Sequence, residues 1–364
     1  MKKYMLCVIV VALVCMAITN SHACTAFQFG HNGHWIVGVN YDWLIENGLV
    51  LINKRGVEKT TLYDFSVFYA PARWTSKYGS VTFSQYGRES VERGMNEAGL
   101  VVSELMDFGP VQYSTPGSTP RVHYSEWLQY LLDNYATVKE VMADSDTLVK
   151  ISYTLNSQTG LYQPIIGDHY FVCDKTGACV VIEYPSGSAV FYTGKDLPVK
   201  VLTNNPYEEA LTDFYSNTIP NPDRAESVYR FITAADMLES TPGTDYISFA
   251  FSILGAVSTN LPGDVTMWST VFDINANRVY FKTNDNQNIR YIDFSKFDLS
   301  CKKPVEMLDI QANLTGDVTE NFVTYTQQAN LDLINISYPA TFGSLFPEST
   351  LQFLAFYPEY DICR

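Results

Sequence analysis

Hydrophobic residues along the chain recur with two periods, and the two periods alternate in blocks. A spacing of two predicts β-strands, and a spacing of three and four predicts amphipathic helices. The predicted strands are 25–29, 35–41, 49–53, 80–84, 100–105, 168–173, 179–184, 189–192, 199–202, 266–273, 278–282 and 289–293. The predicted helices are 124–142, 206–215, 225–238 and 245–254.

This order of elements predicts the fold class. Runs of strands separated by runs of helices favour an α+β fold of two largely antiparallel sheets with helices on their outer faces, over a doubly wound parallel sheet. The chain shows no internal repeat, low-complexity block or clear linker. We therefore expect one domain over residues 24–364, in which the polar and then aromatic tail of residues 300–364 has no predicted position.

The first residues carry a different pattern. Two lysines precede an apolar run over residues 5–18, and the small residues Ser21 and Ala23 stand at positions −3 and −1 before Cys24. This pattern is typical of a secretory signal peptide, and the apolar run is too short for a comfortable membrane span. We therefore predict a signal peptide over residues 1–23, a secreted or periplasmic protein and no stable membrane span. The alternative is an uncleaved anchor helix.

Composition narrows the range of partners. The full chain has a formal net charge of −15, and removal of residues 1–23 makes it more negative, because that segment holds two lysines and no acidic residue. A strongly acidic exported protein argues against nucleic acid and anionic membranes as partners. Charged residues make up 17% of the chain and aromatic residues 14%, which indicates a globular rather than a disordered protein.

Cysteine usage singles out one residue. Two of the seven cysteines lie in the predicted signal peptide, so the mature chain keeps an odd number in an oxidising compartment. A three-residue hairpin loop ending in a left-handed glycine would set Cys173 opposite Cys179, which predicts a disulfide between them. Cys301 and Cys363 form the second pair by elimination. Cys24 is left unpaired.

A cysteine that becomes the first residue of a chain has its own base beside it. The α-amine titrates near pH 8 and can accept the thiol proton, whereas a peptide-bonded nitrogen is not basic. Cleavage before Cys24 would therefore switch the chemistry on. Two other interpretations stay open, a lipid anchor, for which Ser21 is a poor residue at −3, and half of a disulfide. A papain-like pairing with His169 fits poorly, because that thiol opens a helix and Cys24 opens a predicted strand.

Three further polar residues are candidates for the same site. Asp42 in VGVNYDW would orient the Cys24 amine if the first two strands are neighbours, and Asn204 in VLTNNP follows a strand and could donate to an oxyanion. Arg230 stands in a helix beside an apolar stripe. Each also has an ordinary interpretation, as a strand end, a turn residue or a solvated arginine. The five histidines show no metal-ligand spacing, so no metal site is predicted.

Together these stretches form a specific combination. CTAF at the predicted cut is followed in order by GVNYDW, RGMNEAGLVVSEL, HYFVCDKTGACVVIEY, VLTNNP, SVYRFITAA and TMWSTVFDINANRVYFKTNDNQNIR. The combination resembles the choloylglycine hydrolase family of N-terminal-nucleophile amidases, which contains bile salt hydrolases and penicillin V acylases. The resemblance covers roughly residues 24–298. It implies a four-layer αββα sandwich, no cofactor and a small-molecule N-acyl amide as substrate.

The resemblance also implies a role for each candidate. Cys24 would be nucleophile and base, Asp42 would hold the amine, and Asn204 would contribute to the oxyanion hole. Arg230 would match the arginine near the thiol, with Arg224 as the alternative.

Two positions are expected to bear on substrate preference. Trp43 and Met106 are predicted substrate-binding residues; at the Met106 position bile salt hydrolases tend to have asparagine and penicillin acylases tyrosine. Val39 stands where the family usually has arginine, so this chain is expected to work with Arg230 alone. The segment between Asn204 and Arg230 is also shorter than the assembly loop of bile salt hydrolases of the Gram-positive type, so their tetramer is not implied, although a homo-oligomer is possible.

The sequence thus predicts a secreted or periplasmic cysteine amidase. Its substrate would carry a linear, non-peptide amide C–N bond of the penicillin V, acyl-homoserine lactone or conjugated bile salt type, and the export signal, Val39 and Met106 favour the first two. The rival interpretation is a catalytically impaired binding protein on the same scaffold, because the loss of an arginine is a step in that direction.

Overall fold

A computed structural model describes residues 24–62, 70–111, 120–144, 150–151, 154–155, 162–163, 167–216, 222–240, 242–261 and 263–364, with only the backbone at 150–163 and 222–225. The predicted signal peptide lies outside these residues, as does most of the Ser/Thr/Pro/Gly loop at 113–120. No helix in the described part is long and apolar enough to cross a membrane.

The described chain contains twenty-four strands, several of two residues only. In chain order they are β1 (Thr25–His31), β2 (His34–Trp43), β3 (Leu49–Asn53), β4 (Val57–Thr60), β5 (Arg73–Thr75), β6 (Ser80–Ser84), β7 (Arg93–Asn96), β8 (Val101–Met106), β9 (Val122–His123), β10 (Lys150–Ile151), β11 (Thr154–Leu155), β12 (Tyr162–Gln163), β13 (Asp168–Cys173), β14 (Cys179–Glu183), β15 (Val190–Thr193), β16 (Val201–Leu202), β17 (Asn260–Leu261), β18 (Asp264–Asp273), β19 (Arg278–Thr283), β20 (Arg290–Asp293), β21 (Glu306–Asp309), β22 (Gly316–Asp317), β23 (Val323–Thr324) and β24 (Ile362–Cys363).

Seven α-helices accompany them in the described part. They are α1 (Trp127–Asn134), α2 (Val138–Asp144), α3 (Tyr207–Ser216), α4 (Pro222–Leu238), α5 (Tyr246–Ala256), α6 (Gln327–Phe342) and α7 (Glu348–Phe356). Short 3₁₀ helices span Tyr124–Glu126, Gly194–Asp196, Phe294–Lys296, Thr319–Asn321 and Tyr357–Tyr360.

The strands form two large sheets, which we call sheet I and sheet II. Sheet I has the order β16-β1-β2-β18-β19-β20-β22, with β17 paired to β18, and sheet II has the order β15-β14-β13-β8-β7-β6-β3-β21-β23. Nearly all neighbouring pairs are antiparallel, the exception in these sheets being β20 with β22. The prediction of two largely antiparallel sheets is therefore confirmed.

Sheet I begins with a tight hairpin that the sequence encodes directly. β1 and β2 meet at Asn32-Gly33, where both residues have positive φ, 49° and 82°, and His31 pairs with His34 across the turn. Asn-Gly is the preferred dipeptide for such a two-residue loop because both positions need φ above zero. The hairpin places the start of β1, and with it Cys24, beside the end of β2.

The two sheets pack face to face and carry helices on their outer sides. Between the sheets, Phe83 of sheet II meets Phe272 and Phe281 of sheet I edge to face. Helices α4 and α5 contact β1, β2, β16 and β18 of sheet I, and α1 contacts β7 and β8 of sheet II. The architecture is the predicted four-layer αββα sandwich.

One predicted helix is wrong in extent. The span 124–142 contains a 3₁₀ turn, α1 and the beginning of α2, because Tyr135 is extended, with φ −122° and ψ 147°. Thr137 and Glu140 then form a capping box: Glu140 accepts hydrogen bonds from the amides of Ala136 and Thr137, and Thr137 Oγ1 accepts one from the Glu140 amide. This capping box starts a second helix within the span that the apolar pattern had predicted as one helix.

The tail of residues 300–364, which had no predicted position, completes sheet II. β21 adds to β3, α6 and α7 pack against each other, and β24 pairs with β4. The sulfur atoms of Cys301 and Cys363 lie at bonding distance, as do those of Cys173 and Cys179. Among the described residues Cys24 is the free cysteine.

Candidate active site

Cys24 lies at the start of β1 and is buried, with 3% of its surface exposed. Its nitrogen donates a hydrogen bond to Asn204 Oδ1 at 2.9 Å. Its carbonyl oxygen accepts one from Arg230 Nη1 at 2.5 Å. The main chain on both sides of the thiol is therefore held by two residues that are distant in sequence.

Asn204 reaches Cys24 because β16 pairs with β1, with Leu202 opposite Ala26. Asn204 Oδ1 accepts from both the Cys24 nitrogen and Arg230 Nη2, the latter at 2.8 Å. Asn204 Nδ2 donates to the carbonyl oxygen of Met106 at 2.9 Å. Two donors on one atom fix the orientation of the amide, and its second N–H hydrogen is left for another acceptor.

Arg230 enters the site from α4 and is buried, with 4% exposed. Its Nε donates to both carboxylate oxygens of Glu226 one turn earlier, at 2.8 and 2.9 Å, and its Nη1 also reaches Thr25 Oγ1 at 2.8 Å. This anchored fork excludes the interpretation of Arg230 as a solvated arginine. The side chain of the alternative, Arg224, lies outside the described residues.

Asp42 lies near the end of β2, one strand from Cys24. It pairs with Thr266 of β18 at a β-bulge, an irregularity that re-aims side chains near functional sites. The carboxyl group is fully buried, and neither oxygen has a well-formed hydrogen bond to the described residues. Burial raises the pKa of Asp42 to about 8, although the Arg230 charge and the Thr266 hydroxyl act in the opposite direction.

The thiol of Cys24 is a weak acid in this environment. Burial is the main cause that raises its pKa, to about 12, and the Asp42 charge raises it further. Arg93 and Arg230 lower it, Arg93 by more. At neutral pH the thiol therefore keeps its proton unless a base accepts that proton as the thiol reacts.

Arg93 is the residue near the thiol that the sequence analysis missed. Contrary to the expectation that Arg230 acts alone, two guanidinium groups lie close enough to Cys24 to lower the pKa of its thiol. The stretch RGMN, which opens the motif RGMNEAGLVVSEL, was not predicted as a strand; it forms β7 in the middle of sheet II. All four residues of this strand are buried in the structure, but no local sequence pattern could have shown that Arg93 lies near Cys24.

The two predicted substrate-binding residues lie at the ends of strands near this site. Met106 ends β8, is half-buried, and binds Asn204 through its carbonyl oxygen. Trp43 ends β2, stacks on Tyr41 with 5.8 Å between ring centroids, and donates from Nε1 to the hydroxyl of Tyr86 at 2.7 Å. Both positions are fixed by contacts with other parts of the site.

His169 is fully buried, and both of its ring nitrogens lie near acceptor atoms. Its Nε2 lies 2.7 Å from the Thr203 carbonyl oxygen and its Nδ1 3.4 Å from Glu183. Asp107 completes a buried cluster in which one ligand-type atom of each residue lies within 4.8 Å of the others. The amides of Gly109 and Tyr207 also donate to these carboxylates. The cluster therefore supports the turn that carries Asn204.

Comparison with known proteins places these features in a family. Residues 24–229 match the family model of linear amide C–N hydrolases, choloylglycine hydrolase family. Over 342 residues the chain is 25% identical to penicillin V acylase of Pectobacterium atrosepticum, covering 82% of this chain and 88% of that protein.

Solved structures agree with this match. Penicillin V acylase from Agrobacterium tumefaciens superposes with a TM-score of 0.68 at 26% identity, covering 83% of this chain and 98% of that one. A variant of conjugated bile acid hydrolase from Clostridium perfringens gives a TM-score of 0.65 over 80% of this chain and 98% of that one, at 17% identity, which shows a common fold. With Cys24 at the first matched position and more than half of the chain matched, the protein belongs to the choloylglycine hydrolase family of linear amide C–N hydrolases.

Proposed function

We propose that the mature protein begins at Cys24 after export and hydrolyses the amide C–N bond of a small N-acylated compound, with Cys24 as nucleophile and base. The observation that carries the proposal is the position of the Cys24 nitrogen. It is bonded to Asn204 Oδ1, beside the buried Asp42 and the anchored Arg230. An amine released at that place has an acceptor that holds it. The Asp42 carboxyl group nearby can ionise to balance the charge of the amine when the amine is protonated.

The chemistry follows from these contacts. The amine accepts the thiol proton as Sγ attacks the substrate carbonyl carbon, which gives a tetrahedral oxyanion. The remaining N–H of Asn204 Nδ2 is the candidate donor to that oxygen. The amine then returns the proton to the leaving nitrogen, the C–N bond breaks, and an acyl-thioester remains on Cys24. Water, deprotonated by the same amine, hydrolyses the thioester.

The aromatic residues at the end of β2 favour an acyl group with a flat or extended apolar part. Trp43, Tyr41 and Tyr86 lie together beside Asp42, and Tyr86 packs in turn on Tyr338 and Phe342 of α6. Together with the penicillin V acylase relatives, this supports an aryl-acyl or fatty-acyl amide of the penicillin V or acyl-homoserine lactone type over a conjugated bile salt. The alternative of a catalytically impaired binding protein rested on the missing arginine at position 39. It is less well supported because a second arginine, Arg93, is present near the thiol.

A substrate panel on the mature protein tests this proposal. We expect kcat/KM to be higher for penicillin V or an N-acyl-homoserine lactone than for glycine- and taurine-conjugated bile salts. Intact mass should place the N-terminus at Cys24, and one equivalent of iodoacetamide on Cys24 should abolish the activity. Cys24→Ser is the matched control, and its activity should be lower by several orders of magnitude, because the hydroxyl is a far weaker nucleophile than the thiol at neutral pH.

The proposal fails on any of three results. A lipidated cysteine or a chain that starts elsewhere removes the amine base. A serine variant as active as the wild type contradicts the nucleophile. Higher kcat/KM for bile salts than for the other two classes overturns the substrate assignment while leaving the mechanism in place.

A further inference from the structure

Arg93 lies at the centre of the molecule, on the face of sheet II that is turned toward sheet I. In the register of sheet II it stands opposite Phe83, and Phe83 contacts Phe272 and Phe281 of sheet I. Residues opposite each other in neighbouring strands point to the same side of the sheet. The Arg93 side chain is therefore enclosed between the two sheets, and none of its surface is exposed.

The guanidinium points toward the part of sheet I that carries Cys24. Its central carbon lies 4.8 Å from the centroid of the Tyr41 ring. Tyr41 is near enough to the Cys24 thiol for the thiolate to raise the pKa of the tyrosine. Arg230 approaches Cys24 from the helix layer, through the backbone carbonyl. The two arginines thus reach one cysteine from opposite faces of sheet I.

Arg93 has no hydrogen-bond partner among the described residues. Nε, Nη1 and Nη2 are all buried and unpaired, whereas the buried Arg290, over the Phe281 ring at 4.5 Å, donates to the carbonyl oxygens of Ile310 and Ala312. A buried, unpaired guanidinium is costly, because the charge loses its hydration without compensation. A buried cation without a partner is therefore a candidate to stabilise an anion that forms beside it during function.

We propose that Arg93 is the cation that stabilises the Cys24 thiolate, and that it supplies from sheet II the positive charge that relatives carry at the Val39 position of sheet I. This inference rests on the proposed function of Cys24 as nucleophile. Val39 is two residues from Tyr41 on β2, so its side chain points to the same layer, about 7 Å along the strand. The side chains at positions 39 and 93 therefore both point into the space between the two sheets.

The charged neighbours of the thiol fit this assignment. Asp42 opposes the thiolate, while Arg93 and Arg230 favour it. Among the opposite charges that act on Arg93, Cys24 comes before Glu92, Tyr41 and Asp42 in strength. Arg230 is already engaged by Glu226 and Thr25, so the unengaged charge near the thiol is that of Arg93.

The rate of Cys24 alkylation by iodoacetamide against pH tests the inference in the folded, mature protein. Arg93→Met keeps most of the side-chain volume and removes the charge, and Arg93→Lys keeps the charge. We expect Arg93→Met to raise the apparent pKa of alkylation by about 1–3 units, the size of a neighbouring-charge effect. Arg93→Lys should stay close to the wild type. Arg290→Lys, at the other buried arginine that covers an aromatic ring, is the distant control and should leave the alkylation profile unchanged.

A double variant tests the equivalence of the two positions. Val39→Arg combined with Arg93→Met should bring the apparent pKa back toward the wild-type value, because the charge returns to the same layer from the other sheet. On the substrate that the panel identifies, Arg93→Met should lower kcat with little change in KM.

A merely structural role gives a different pattern. In that case Arg93→Met lowers the melting temperature and leaves the alkylation pKa unchanged, and the inference is overturned. It is also overturned if Arg93→Lys shifts the pKa as far as Arg93→Met does. Because alkylation requires no substrate, failure of the amidase assignment leaves this readout intact, so the two proposals can fail separately.

Discussion

At the scale of single residues, the site consists of ionisable groups whose charged forms are unfavourable in their buried positions. Asp42 and the Cys24 thiol both have raised pKa values because they are buried, and Arg93 is a buried cation without a hydrogen-bond partner among the described residues. Such groups lower the stability of a fold and are typical of functional sites. Replacing such a group by a neutral one should therefore increase the stability of the fold by a measurable amount.

Replacement of Asp42 by asparagine should stabilise the protein at alkaline pH. The pKa of Asp42 rises from its ordinary value of 3.8 to about 8 in the fold, so the folded state holds a proton that the unfolded state releases. Stability of the wild type therefore falls as pH rises from about 4 to about 8, and the loss is complete above about 8. We expect the melting temperature of Asp42→Asn to exceed that of the wild type by several degrees at pH 9, with little difference at pH 4.

Asp273→Asn is the matched control for this experiment. Asp273 is another buried aspartate of sheet I, but its carboxylate is bonded to His34 and Tyr246. Its replacement should destabilise the protein. An Asp42→Asn variant that is less stable than the wild type at pH 9 would contradict this prediction and would show that a partner in the fold, such as the Cys24 amine, compensates the carboxylate charge.

At the scale of elements, the loop between β13 and β14 shows how the two sheets are kept in contact. Cys173 and Cys179 stand opposite each other, and Gly177 between them has φ +84°, as the sequence predicted. A methyl group on Gly177 would lie 2.3 Å from the Trp35 ring of sheet I. The loop of sheet II therefore rests on the first hairpin of sheet I.

Gly177→Ala should be markedly destabilising, through two effects. A left-handed conformation costs a non-glycine residue about 1–2 kcal/mol, and the contact with the Trp35 ring adds a steric cost. Gly194→Ala is the control, because Gly194 has φ +56° with open space around it, so it carries the conformational cost alone. Urea unfolding should show a larger loss for Gly177→Ala. Equal losses would mean that the Trp35 contact relaxes freely.

The elements that the sequence predicted correctly are those with local signals. The Asn-Gly turn, the Gly177 loop and the periodic strands around them depend on neighbours in the chain. β7 was missed because its four residues do not alternate, and every one of them is buried in the middle of sheet II. The break between α1 and α2 was missed because an apolar pattern continued through a capping box.

The residues of the candidate site likewise fall into two groups, those that sequence motifs indicated and one that depends on how the sheets pack. Cys24, Asp42, Asn204 and Arg230 could be proposed from sequence motifs, and the structure brings all four together. The proximity of Arg93 depends on how sheet II faces sheet I, which no local pattern encodes. The residues of the site that come from the packing of distant layers were therefore the ones that sequence reasoning could not supply.

At the scale of the whole molecule, the tail links sheet II to the site in sheet I. Thr341 of α6 shares a hydrogen bond with the Tyr86 hydroxyl at 2.8 Å, and the same hydroxyl accepts from Trp43 Nε1. The end of the tail is fixed by the pairing of β24 with β4 and by the bond between Cys301 and Cys363. A change at the tail can therefore reach Trp43, a proposed substrate-binding residue.

Loss of the Cys301–Cys363 bond should weaken both the fold and substrate binding. The bond closes a loop of 62 residues and the Cys173–Cys179 bond one of 6. Chain entropy therefore assigns about 4 kcal/mol of stability to the first and about 2 to the second. Cys301→Ala with Cys363→Ala should lower the denaturant midpoint more than Cys173→Ala with Cys179→Ala does. It should also raise KM with little change in kcat, because α6 supports Trp43 through Tyr86 and makes no described contact with the thiol.

An unchanged KM in the Cys301→Ala, Cys363→Ala double variant would show that α6 keeps its position without the bond. A lower kcat at constant KM would instead place the influence of the tail on the reacting groups themselves.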